Sequence, residues 1–294
     1  MNTDQPALIP YLRALITVTH LGSLLTLSEL LRGQALAFAA PLAAGALMWL
    51  LAAPLTSLFC RGGRCRPPRW TALLLTALTL LHAAVILSVT ASYLSATFLH
   101  HTPRWALLAL LLAVPVSALF RTEGALMRLC RLVFPALALM VGLILFYQTQ
   151  WQELTAILAA LPYEEISSLP EPVLLTLLLV YLNPTVATPL LFGEATEESW
   201  LRASRQGILL SAVTLSLLLL LPVTALGLPL YEAPTHPLYS AGNAIIHGTP
   251  LVRVDTLLST IVLFSVLTDL CLTARAVRLV LREFGIGERL LRES

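Results

Sequence analysis

Apolar and polar positions alternate along this chain in long blocks. Eight apolar stretches cover approximately 9–31, 35–59, 70–98, 105–120, 129–149, 172–192, 207–228 and 252–274. Most approach or exceed the roughly 20 residues that a helix needs to cross a bilayer. Such segments are expected to be helical, because in lipid only a helix bonds all of its own backbone groups. The weakest are the first, which holds Arg13, His20 and Glu29, and the fourth, which is short and carries Pro115. The pattern predicts an all-α polytopic membrane protein with about eight transmembrane helices.

Arginine gives the orientation. The 60–69, 121–131 and 193–206 connections and the segment after the last span, together with Arg13, hold fifteen of the eighteen basic residues. The alternate connections hold only Arg32, Arg104 and Arg253. Cytoplasmic loops carry the excess of Arg and Lys, so both termini are expected in the cytoplasm. An odd number of crossings spoils this alternation.

Composition agrees. Of 294 residues, 57% are hydrophobic and 12% charged, with mean hydropathy +0.84, against roughly 25% charged in soluble domains. Every connection is short, so 1–294 is expected to be a single transmembrane domain. Arg13 interrupts the first apolar run and no small-residue cleavage site follows it, unlike a secretory signal peptide. The net charge of +2 adds little. Cys60 and Cys65 flank an Arg/Gly loop without two further zinc ligands nearby, and with Cys130 and Cys271 they read as reduced structural thiols.

Three connections have character of their own. Residues 150–171 read as a short amphipathic surface helix followed by a Pro-bounded loop. Residues 229–251 are Pro-rich and contain HPLYSAGNAIIHG. Residues 275–294 form an amphipathic cytoplasmic tail, with Arg275, Arg278 and Arg282 on one face and Val277, Leu281 and Phe284 on another, suited to the inner leaflet.

Substrate sites in transporters tend to lie at mid-membrane where helices are interrupted. The first span contains THLGSLLT at 19–26, with Gly22 and Ser23 near its middle and His20 and Thr26 expected to supply polar contacts. The sixth reads YLNPTVATP at 181–189, where Pro184 removes a backbone donor and lets Asn183 and Thr185 face a cavity. Gly22 as a packing contact and Pro184 as a tolerated kink are the plainer alternatives. Ionisable residues inside spans are costly and so are functional candidates. His82 is either a bundle hydrogen bond or a ligand contact; Asp269 either pairs with a cytoplasmic arginine or faces a solute or ion path. Arg253 and Asp255 mark the outer start of the last span. The candidate ligand-binding set is therefore Gly22, Ser23, Thr26, His82, Tyr181, Asn183, Thr185 and Asp269.

Enzyme chemistry is not expected. His100-His101 lacks a metal-binding pattern, and Glu164-Glu165 and Glu197-Glu198 read as solvated pairs. No P-loop, GxSxG or HExxH occurs. No cofactor, metal or nucleic-acid partner is expected.

Three segments carry a family likeness. They are FLHHTPRW at 98–105; RTEGALMRLCRLVFP at 121–135, with Gly124, Arg131 and Pro135; and PLYSAGNAIIHGTPLVRVDTL at 237–257. In order and spacing relative to the spans, the chain resembles the spore germination permeases, the B-subunits of nutrient germinant receptors, within the amino acid–polyamine–organocation superfamily. Asn243 stands where that family usually has Arg. The resemblance implies a leucine-transporter-like helical bundle with discontinuous helices 1 and 6. It implies a subunit in the spore inner membrane that binds a small nutrient such as an amino acid, beside A- and C-type partner subunits. The family pattern has two further spans after the eighth. A freestanding amino-acid or cation transporter, or a structural membrane protein without a solute site, are the other readings.

Overall fold

A computed structural model describes residues 5–32, 34, 36–61, 64–65, 69–119, 123–147, 168–182, 196–226, 236–245 and 254–283. These form ten α-helices: α1 (Gln5–Gly22), α2 (Leu24–Leu30), α3 (Ala40–Phe59), α4 (Arg69–Thr97), α5 (Arg104–Leu119), α6 (Glu123–Tyr147), α7 (Pro170–Thr176), α8 (Glu197–Leu226), α9 (Pro237–Ile245) and α10 (Val254–Glu283). A 3-10 turn, Ala37–Ala39, leads into α3. A π-helical stretch, Leu177–Leu182, continues α7. A two-residue antiparallel pairing of Cys60–Arg61 with Arg64–Cys65 closes the loop after α3.

Five helical segments are long and apolar enough to cross a membrane: Ala37–Ser57, Trp70–Thr97, Leu129–Phe146, Glu197–Leu226 and Val254–Leu281. They make the chain an all-α integral membrane protein. The expected fourth and sixth spans correspond to shorter apolar helices, Arg104–Ser117 and Pro170–Leu182. The expected first span is divided at Ser23 between α1 and α2.

The helices fall into two shells. The most apolar windows of α8 and α10 are 67% buried, whereas those of α3, α4 and α6 are 28–33% buried. α1 packs chiefly against α8 and α10; α3 leans on α8, while α4, α5 and α6 lean on α10. The outer shell turns Leu50, Leu74, Leu110, Leu132 and Phe146 outward, each more than 60% exposed. In water this surface would aggregate; against acyl chains it costs nothing.

Without a hydrophobic drive between helices in lipid, close approach decides the packing. A Cβ on Gly45 would sit 2.7 Å from the Ala212 methyl, and one on Gly207 equally close to Ile16 Cγ2. Buried threonines return their hydroxyl protons to their own helices, as Thr19 to Leu15 O, Thr56 to Ala52 O, Thr76 to Ala72 O and Thr97 to Tyr93 O. Their burial therefore strands no donor.

Two connections differ from the sequence expectation. Part of the Pro-rich 229–251 stretch is the helix α9, packed against α8, α10 and α2. α10 runs unbroken to Glu283, so the first nine residues of 275–294 extend the last helix, with Arg275 and Ala276 buried. The amphipathic segment expected at 150–171 lies almost wholly outside the described residues; only its last four fall within them.

Candidate functional site

Two helical irregularities meet in the middle of the bundle. At the first, Ser23 keeps right-handed dihedrals (φ −84°, ψ −3°) but its N–H bonds three residues back, to His20 O at 3.2 Å. The helix is tightened there for one turn, and Leu27 N–H resumes on Ser23 O at 2.9 Å. The second is the π-helical stretch 177–182, where the wider turn shifts the carbonyl register; such turns recur at functional sites. Ser23 Oγ donates to Leu179 O across the two at 3.5 Å, the long end of a hydrogen bond.

Gly22 lets this junction press on α10. A Cβ there would lie 3.0 Å from Ser265 O and 3.2 Å from Asp269 Cβ. Directly behind, His82 Nε2 of α4 bonds Asp269 Oδ2 of α10 at 2.9 Å, with both side chains no more than 5% exposed. Asp269 thus pairs with His82 rather than with an arginine at the inner end of the last span. The reason is geometric: Asp269 faces inward to α4 and the α1–α2 junction. Its second oxygen, Oδ1, and the hydroxyl of Ser265 one turn earlier are buried without a partner among the described residues.

A second polar contact closes the other side of the junction. His20 Nδ1 lies 2.8 Å from Ser211 Oγ of α8. Ser211 Oγ also lies within hydrogen-bond reach of Ile208 O on its own helix, at 3.0 Å. The Tyr181 ring meets His20 edge-on at 4.9 Å, and its hydroxyl donates to Pro41 O at 3.0 Å. Gly45 makes room for that hydroxyl.

A cavity of about 330 Å³ lies between α4 and the π-helical stretch. Leu75, Leu78 and Val85 line one wall, Leu178 and Leu182 the other, and among the described residues His82 is the one polar side chain in the lining. Leu81 on its rim is 65% exposed, so the cavity opens toward the lipid-facing side. Its chemistry is an apolar chamber with a hydrogen-bonded imidazole, of the size of small-molecule sites.

Of the candidates read from sequence, Gly22, Ser23, His82 and Asp269 come together at the junction, and Tyr181 joins them through His20. Thr26 is buried one turn further along α2 and makes none of these contacts. Asn183 and Thr185 lie outside the described residues. His20, expected to supply a polar contact beside the break, does so to Ser211; nothing in the sequence marks Ser211 or Ser265 individually. Their one signal is small polar residues repeating inside otherwise apolar helices.

A further cluster escaped the sequence reading. His236 Nδ1 bonds Glu29 Oε1 at 2.6 Å. Tyr93 stacks edge-to-face on His236, Phe98 and Tyr239, and its hydroxyl donates to Ser259, which donates to Asp255 O. These groups come from α2, α4, α9, α10 and the turn after α4, so only folding shows them as one. Among the described residues no group of three His, Cys, Asp or Glu side chains is placed to hold a metal ion. No protein-family model, curated protein or solved structure matches the chain.

Proposed function

We propose that this protein is a permease-like membrane subunit that binds a small amphipathic nutrient, an amino acid being the best fit, at the α1–α2 junction. The observation that carries the reading is the convergence of the Ser23 turn, the π-helical stretch and the buried His82–Asp269 pair beside one cavity. Interrupted helices supply polar backbone at mid-membrane, and an intramembrane ionisable pair is costly unless it is used. The apolar walls suit a solute with an aliphatic part, and His82 offers the polar contact.

The resemblance of 98–105, 121–135 and 237–257 to germination permeases makes the specific form of this proposal a germinant-receptor subunit of the spore inner membrane. There it acts with A- and C-type subunits to trigger germination. The leucine-transporter-like arrangement and eight crossings belong to the same proposal.

The test is thermal unfolding of the purified protein, alone and with its partner subunits, against a panel of amino acids. Stabilisation by at least one, lost in His82→Ala, is expected. Absence of any shift across the panel in both preparations sinks the proposal. Uptake of the same solute into proteoliposomes by this chain alone would identify a freestanding transporter instead.

A further inference from the structure

Away from the junction, a groove of about 340 Å³ runs between α3 and the first turns of α8. Its lining includes Trp49 from α3 and Arg202, Arg205, Gln206 and Leu209 from α8. The Arg205 guanidinium lies over the Trp49 ring, 4.4 Å from its centre. Gln206 receives Arg13 Nη1 at 3.5 Å, which brings a third arginine to the rim. Among the described residues Glu198 is the one carboxylate in the lining. Among the described residues, neither Arg202 nor Arg205 forms an ion pair. Arg205 Nε is buried without an acceptor among the described residues.

The order of groups decides what such a groove holds. Arg202 and Arg205 stand in the N-terminal half of the 30-residue α8. Leu209, Leu210 and Val213 follow toward the helix centre, each about 40% exposed or more. The order is cationic groups, then an aromatic ring, then an apolar strip. It matches a phospholipid read from phosphate to acyl chain.

We propose that this groove is a phospholipid site. Arg205, lying over the Trp49 ring, binds the phosphate; Arg202 adds charge; an acyl chain lies along Leu209. A guanidinium has five N–H donors, so one that meets an aromatic ring keeps donors for phosphate oxygens. Basic pockets between transmembrane helices are suited to anionic headgroups.

The experiment titrates the purified full chain, in neutral detergent, with phosphatidylglycerol and reads bound lipid by native mass spectrometry. Diacylglycerol and glycerol phosphate serve as parallel probes. Phosphatidylglycerol is expected to bind, with an apparent Kd raised about tenfold in Arg205→Gln, the loss of one charge-assisted contact. Trp49→Leu is expected to weaken it about threefold. Arg32→Gln, an exposed arginine outside the groove, leaves it unchanged. Equal binding by Arg205→Gln and the parent overturns the site. Equal binding of diacylglycerol removes the phosphate from the argument, and full competition by glycerol phosphate makes the ligand a soluble phosphate rather than a lipid. If Arg205→Gln does not purify as a single species, Arg202→Gln and Trp49→Leu carry the same comparison.

Discussion

Asp269 places one carboxylate oxygen on His82 and leaves the other without a partner among the described residues. Removing one member of a buried pair strands the second, whereas replacing both by apolar groups removes the need for either. His82→Leu and Asp269→Leu are each expected to destabilise the bundle by about 3 kcal/mol. The double replacement recovers part of that loss. Reversible unfolding in mixed micelles measures all three, and additive losses would show that the two side chains do not act as a pair. His20 and Ser211 form a comparable contact, but Ser211 also bonds its own helix, so either can lose the other at smaller cost.

At the scale of elements, the junction of α1 and α2 is fixed by what α10 tolerates against it. Gly22 meets Ser265 O and the Asp269 Cβ at distances that leave no room for a branched side chain. Gly22→Leu must push α1 off α10, and overpacking of this kind costs about 1–3 kcal/mol. The upper end is expected here, because the nearest atom is backbone. Gly142 on α6 supplies the control: a Cβ there meets nothing within 4 Å, so Gly142→Leu is expected to be near neutral. A Gly22→Leu protein as stable as Gly142→Leu would mean the junction does not press on α10. The π-helical stretch and α9 belong to the same scale. Each was present in the sequence only as YLNPT or HPLYSAGN. Neither composition nor period separates a π turn from an α turn, or a short buried helix from a Pro-bounded loop.

For the whole molecule, the arginine distribution carries a prediction that no single contact makes. Fifteen of eighteen arginines fall on one set of alternating connections, so both termini are expected on the same, cytoplasmic face. Protease-accessible tags at each end, read in sealed inside-out and right-side-out vesicles, should behave alike. Opposite accessibility would require an odd number of crossings. On the same expectation α8 begins at that face, with Arg202 and Arg205 in its first turns.

The amino-acid pattern alone determined that the chain is an all-α membrane protein, because burying so many apolar residues in sequence-local runs leaves a helix in lipid as the only fully bonded backbone. It also marked the interruption at Gly22 and Ser23, and His82 and Asp269 as costly intramembrane groups. It did not pair them. His82 and Asp269 are 187 residues apart, and hydropathy is blind to which face of a span looks inward. Depth along a helix can be read from sequence, but rotation about its axis is set by neighbours. Only the packing of α1, α4 and α10 turned Asp269 toward a histidine rather than an arginine, gathered Glu29, His236 and Tyr93 into one cluster, and laid Arg205 on Trp49.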